Sequence, residues 1–328
     1  MIEINKVVIW GLKNKQDTMK FVMNGFFRAW KHLNYNVYWV DSIEELESNN
    51  INFSKCLVWY AQTGTRPTPP PIKKDNFYVG HNADDFEKKV INTIGKQYYL
   101  KHSIWATTVL NKDDIQLNKK HSIFNISKNM VIFPWATNLL PYEIDENIKN
   151  LENIEIKPIC GHIGSTGGQW GKPYRLFSEE LKQYNIFLHQ GGPELTGFVP
   201  ENTMINFLKS CMIAPSLQYK WQRDVCYVPC RIFKTISYGK MGVTNNMEAH
   251  KFFDKKLLYS DNLKELAKMC VEFEKNPKKN EIIKDLMINV RDNHTYVSRI
   301  NLLITVLKEY KDITLIYKYE DCKITHRK

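Results

Sequence analysis

The chain opens on a short unbroken apolar run, residues 7–12 (VVIWGL). Such a run fits a strand of a parallel sheet, which is covered on both faces. The period then changes. Between residues 18 and 33 the apolar positions Met19, Val22, Met23, Phe26, Trp30 and Leu33 recur at three- and four-residue spacing, which places them on one face of a helix. Residues 36–40 and 55–61 return to short apolar runs, each after a polar break. The opening therefore reads β-α-β, with further strands expected at 76–82, 98–105 and 130–136, the pattern of a doubly wound α/β domain.

The polar stretch 142–153 (YEIDENIKNLEN) reads as a linker or a short surface helix, and a second α/β pattern follows it. A strand is expected at 155–164, a glycine-rich turn at 165–171, and a helix opening at Pro173, since proline suits the first helical position. Strands at 185–189, 212–216, 240–245 and 256–260 alternate with helices at 200–209 and 231–238, the latter closed by Gly239. Leu263, Leu266, Ala267, Cys270 and Phe273 mark one later helical face, and Val297, Ile300, Ile304 and Leu307 another. The expected division is a Rossmann-like domain over 1–150, a second over 151–295, and a terminal helix and tail over 296–328. The run 276–279 (NPKK) reads as solvated surface, and the tail from Lys311 has strand-like alternation with no assigned purpose.

Composition narrows the class. With 328 residues, 43% hydrophobic and 25% charged, disorder and fibrous folds are excluded. The formal net charge of +11 favours anionic partners: phosphates, nucleotides, or an anionic surface on which the protein associates peripherally. It argues less for nucleic acid, because acids are interleaved with the bases throughout and no DNA-reading motif is present. The seven cysteines are scattered and mostly lie in apolar runs, as expected of reduced thiols. No stretch of about 18 uncharged apolar residues and no leader pattern is found, so the expectation is a soluble, cytoplasmic protein.

Two loops carry candidate chemistry. Residues 63–75 hold four prolines and must be extended; directly after a strand, they place Thr63 and Arg66 at the sheet edge where α/β proteins bind ligands. In the second half, a strand leads into GSTGG (Gly164, Ser165, Thr166, Gly167, Gly168) and then a helix, so that backbone N–H groups and a helix amino end converge where a phosphate oxygen would be stabilised.

The segment 228–246, VPCRIFKTISYGKMGVTNN, resembles the donor-site segment of nucleotide-sugar glycosyltransferases of the GT-B fold. A helix bearing an Arg-x-Phe run leads there through a glycine turn into a strand ending in Thr-Asn. Arg231, Phe233, Gly239, Val243, Thr244 and Asn245 stand at the matching places. The likeness is to the family-1 and family-4 type, including the spore-maturation-protein-like branch and, more distantly, phage DNA β-glucosyltransferases. It extends in order through 155–183, 199–217 and 294–307. It implies two Rossmann-like domains facing a cleft, with a terminal helix packing back toward the first. It also implies transfer of a hexosyl- or deoxyhexosyl-type sugar from a nucleoside-diphosphate donor to a hydroxyl acceptor in glycan biosynthesis, with no cofactor beyond the donor itself. The donor contacts it implies are Gly164, Ser165, Thr166, Gly167, Gly168, Ser216, Arg231, Phe233, Lys234, Thr244 and Asn245; Thr63 and Arg66 would meet the acceptor.

One departure stands out. Many members carry a glutamate where this chain has Lys234, and retaining members carry a second acid eight residues earlier, where Cys226 stands here. Arg231 and Lys234 lie three apart on one helical face and could clamp a diphosphate instead. No Asp-x-Asp is present, so metal-independent transfer is expected, with basic side chains and helix dipoles stabilising the leaving group. The general base of an inverting reaction is sought in YVGHNADDF, at His81, Asp84 or Asp85; the plain alternative is that His81 caps a turn and the aspartates cap a helix. Two other functions remain open on the same fold: a transferase or binding protein acting on DNA, and a catalytically silent sugar-nucleotide-binding module.

Overall fold

A computed structural model describes residues 2–13, 18–62, 68–104, 115–119, 122–165, 168–192, 195–197 and 199–317. The first half runs β1 (Ile2–Ile4), β2 (Lys6–Trp10), α1 (Thr18–His32), β3 (Val37–Val40), α2 (Ile43–Ser48), β4 (Cys56–Ala61), β5 (Phe77–His81), α3 (Asp84–Ile94), β6 (Tyr99–Ser103), β7 (Ile115–Lys119), β8 (Ser122–Asn125) and β9 (Met130–Ile132). The second half runs α4 (Pro141–Lys149), β10 (Lys157–Ile163), α5 (Gly168–Lys182), β11 (Phe187–Gly191), α6 (Glu201–Ser210), β12 (Cys211–Ile213), α7 (Lys220–Asp224), α8 (Cys230–Ser237), β13 (Val243–Thr244), α9 (Met247–Phe252), β14 (Leu258–Tyr259), α10 (Leu263–Glu274), α11 (Lys279–Asn293), α12 (Tyr296–Lys311) and β15 (Ile313–Leu315).

The chain divides into two compact units: residues 1–103 with 124–131 and 299–328, and residues 104–123 with 132–298. The first is built on strands ordered β3-β2-β4-β5-β6, the start of an eight-stranded sheet that goes on β9-β8-β7. Its strands β3 to β6 pair in parallel, with Val8 opposite both Tyr38 and Val58, and Val58 opposite Tyr78. Every residue of β4 and β5 is buried, which explains why they read as continuous apolar runs. The face anticipated for α1 is the one that turns inward: Val22, Met23, Phe26 and Trp30 are all buried. Strand β9 stops at Ile132 instead of continuing to residue 136, because Pro134 has no N–H for a ladder. The tail does have a purpose. β15 pairs in parallel with β1, Ile313 opposite Ile2.

The second unit holds a parallel sheet ordered β11-β10-β12 and a parallel pair β13-β14, and the Ser216–Thr244 bridge extends the pairing toward β13. Its core includes Ile232, Phe233, Ile236, Met287 and Val290. Residues 142–153 contain a helix, α4, which buries Ile144. Helix α5 starts at Gly168, not at Pro173, which lies inside it. A proline there removes one bond to the carbonyl four residues back, while Tyr174, Phe177 and Leu181 are buried along the same helix. Residues 276–279 are exposed or half-buried, and they lead into a helix that buries Ile283, Leu286, Met287 and Val290.

Candidate functional site

The second unit gathers polar side chains at the carboxyl end of β10. Gly164 follows the strand with φ 151°, in the left-handed half of conformational space that favours glycine. Its N–H donates to Gly191 O at 2.9 Å, and a Cβ on Gly192 would stand 2.2 Å from Gly164 O. The ends of β10 and β11 therefore meet backbone to backbone.

Arg231, in the first turn of α8, reaches this meeting point. Its Nη1 donates to Tyr174 Oη at 2.6 Å and its Nη2 to Ile163 O at 3.3 Å. A Cβ on Gly164 would lie 2.4 Å from that Nη2, so a side chain there would displace the guanidinium as well as strain the backbone. Both acceptors are neutral, and no ion pair among the described residues includes Arg231. Among the described residues, then, no carboxylate balances the guanidinium charge held at the turn.

Tyr174 is the residue that fixes it. Its Oη also accepts from Leu217 N at 3.1 Å and lies 3.4 Å from Pro215 O, joining α5, α8 and the segment after β12. Burial raises its pKa, so it stays a phenol. The ring of His162 lies 3.7 Å from the Tyr174 ring, centroid to centroid. Burial first, and the Arg231 charge second, push the His162 pKa down to about 2. Its Nε2 faces Ser165 O at 3.3 Å, and since a carbonyl only accepts, the neutral ring carries its hydrogen there and leaves Nδ1 a bare acceptor. That Nδ1 is buried with no partner among the described residues, as is Ser216 Oγ.

Sequence reasoning singled out Ser216, Thr244 and Asn245, and all three lie in one buried network. Thr244 Oγ1 donates to Ser216 O at 3.1 Å. Asn245 holds Gln218 from both sides, accepting from its N at 2.8 Å and donating to its O at 3.0 Å. Asn246, passed over in the sequence, donates to Tyr227 O at 2.8 Å and caps α9 through Glu248 N at 2.9 Å. Gln218 and Tyr174 were also missed; a polar residue after a strand and a tyrosine on a helix face look the same in a sequence whether they pack or serve a site.

Phe233 requires a correction. It is fully buried, with its ring against Phe252, Phe253 and His294, so it anchors α8 in the core and offers no face to a donor. Lys234 is half-buried one turn beyond Arg231, and Gly168 opens α5 at φ 49°. Thr166 and Gly167, like Thr63 and Arg66, lie outside the described residues.

In the first unit, His81 ends β5 opposite His102 on β6. The two Nδ1 atoms are 3.1 Å apart, so one ring donates and the other accepts, which makes them opposite tautomers. Both are buried, and burial lowers the His81 pKa to about 4. Asp84 pairs with Lys101 at 2.6 Å, and Asp85 is exposed. Neither aspartate caps the helix: the cap position is Ala83, with no side-chain cap bond. No group of three or more His, Cys, Asp or Glu among the described residues is arranged to hold a metal, and no described helix is long and apolar enough to cross a membrane.

Residues 156–305 match the family model described as glycosyl transferase-like. The matched residues, a little under half of the chain, are similar to that family and contain the whole Gly164–Arg231–Tyr174 arrangement. Among solved structures, a trehalose-6-phosphate synthase is similar over 93% of this chain and 99% of its own, at 9% identity and a TM-score of 0.51. An α,α-trehalose 6-phosphate synthase from Burkholderia multivorans covers 93% and 97% at 7% identity and TM-score 0.48. An α1,3-fucosyltransferase with GDP-fucose covers 98% and 94% at 12% identity and TM-score 0.42. The first of these carries the fold, the α/β type of GT-B glycosyltransferases; the other two scores are too low to add to it. No curated protein sequence matches the chain significantly.

Proposed function

We propose that this glycosyltransferase-like protein transfers a sugar from a nucleoside-diphosphate donor to a hydroxyl acceptor, and that its second unit binds the donor diphosphate at the 164–168 turn. The observation that carries this is Arg231: a guanidinium fixed by a tyrosine oxygen and a backbone carbonyl, with no carboxylate partner among the described residues, beside Gly164, which lies shortly ahead of the amino end of α5. As the glycosidic bond to the donor breaks, negative charge grows on the leaving diphosphate, and a cation held in place before the reaction stabilises it without reorganising. Lys234, three residues on, adds a second charge on the same helix. In this reading neither a metal nor a cofactor takes part. The resemblance of residues 228–246 to nucleotide-sugar donor segments makes hexosyl and deoxyhexosyl donors the natural first panel.

The test is a panel of UDP-, GDP- and dTDP-sugars, followed by thermal shift and by release of nucleoside diphosphate with and without EDTA. A stabilising donor and EDTA-insensitive release support the proposal. No shift with any donor sinks it, and binding without turnover to any acceptor identifies a silent module.

A further inference from the structure

A second polar feature lies away from the turn. Helix α8 carries Arg231 near its start, and just past its end Gly239, Lys240 and Met241 border a cavity of about 240 Å³. Met212 on β12 and Ile154 before β10 border it too, which sets it at the amino-terminal edge of the sheet. The 164–168 turn follows the other end of β10, seven residues and therefore about 20 Å along the strand.

Lys240 is the unusual member. It is only 4% exposed, and its one hydrogen bond among the described residues is to Cys211 O at 2.8 Å, although an ammonium has three donors. A charge so buried is costly without a partner. Glu274, a carboxylate whose field reaches it, is already held by Lys279 at 2.9 Å, and Glu152 is exposed at the rim. Burial accordingly lowers the Lys240 pKa to about 8, with Glu274 and Lys279 acting on it in opposite directions. The rest of the lining is mixed: Leu151, Ile154, Ile156, Met212, Met241 and Ile283 are apolar, and Glu152, Glu274, Lys279 and Asn280 are polar. Because Lys279 and Glu274 answer each other, the charge left over inside is that of Lys240, and beside the apolar part of the wall it is complementary to a short anion with a greasy body.

We propose that this cavity binds a small carboxylic acid in its carboxylate form, with the charged end on Lys240 and the aliphatic body against Met212, Met241 and Ile154. The site is separate from the donor turn and takes a different ligand chemistry.

The probe is hexanoate, with 1-hexanol as the uncharged control, read on protein labelled with ¹³C at the methionine methyls. Saturable movement of the Met212 and Met241 resonances is expected with hexanoate, at about tenfold or more lower concentration than with hexanol, the ratio expected of one charge-assisted bond. K240M should remove that preference for the acid. I154W, at a partly exposed position on the rim, should block both probes and keeps the test decisive if K240M does not fold. Equal binding of hexanoate and hexanol, no saturable shift below about 20 mM, or shifts that survive I154W would each overturn the proposal.

Discussion

At the carboxyl end of β5, His81 faces His102 on the neighbouring strand; at the carboxyl end of β10, His162 faces Tyr174 and, beyond it, Arg231. Both places are strand ends of a parallel sheet, where α/β proteins bind ligands, and both keep an imidazole neutral by burial. They differ in what is left over. Around His81 the charges answer one another, imidazole to imidazole and Lys101 to Asp84, although the buried Tyr99 Oη beside Gly80 has no partner among the described residues. Around His162 a guanidinium rests on neutral oxygens, and the buried His162 Nδ1 and Ser216 Oγ likewise have no partner among the described residues. What differs is the cation, which a fold seldom leaves unanswered unless a ligand answers it. The comparison teaches that burial and a lowered pKa do not mark a site by themselves; the unbalanced charge does.

The sharpest way to break this contrast is R231A. If the second unit holds the diphosphate, kcat/KM should fall by about 10²–10³, the usual loss of one preorganised donor to a developing negative charge, while K101M in the first unit leaves it within about twofold. Steady-state kinetics decides this, and equal losses from the two variants would erase the distinction.

Acid stability probes the feature the two places share. His81 has a folded pKa of about 4, below the ordinary 6.5, so the unfolded chain binds more protons between these values. Stability should then be full above about pH 6.5 and decline as pH falls toward 4, by on the order of 3 kcal/mol for this residue. His162, at about 2, extends the decline to lower pH. Urea titrations at stepped pH should show the slope, and H81N should flatten its upper part; an unchanged slope in H81N would mean that His81 is not buried neutral.

A smaller effect is expected from Y174F. It removes the oxygen that accepts from Arg231 Nη1 and from Leu217 N, and it should raise KM for the donor by about tenfold, near the worth of a hydrogen bond to a charged group. Because Arg231 itself remains, the loss should stay well short of that in R231A. Least of all should come from D84N. The Asp84–Lys101 pair is exposed at Asp84, where the side chain is 69% accessible, so its loss should cost under about 1 kcal/mol and shrink further in salt. Melting at low and high ionic strength measures it, and a large loss would show that the first cluster is more than strand-end packing.

Much of the fold was legible because the sheets are parallel and buried on both faces. Strands such as β4 then stand out as apolar runs, and α1 shows its inward face by spacing alone. Within the site, Arg231, Gly164, Thr244 and Asn245 were recognisable from their order along the chain. What spacing could not give was direction. Phe233 occupies a matching place yet turns into the core, since adjacent residues of a helix face about 100° apart and only the packing of Phe252 and Phe253 tells which side is inside. Helix α11 was hidden by the lysines before it, although Ile283, Leu286, Met287 and Val290 have helical spacing.

The sequence by itself determined that this is an α/β chain with a glycine turn after a strand and an arginine at the start of a later helix, because period and residue type depend only on neighbours along the chain. The tertiary structure alone decided that Arg231 comes to Gly164 across 67 residues, that Tyr174 holds it there, and that Lys240 is buried beside a cavity. Those relations depend on how the strands stack and which side chains they exclude from water, and neither is written in any local stretch of residues.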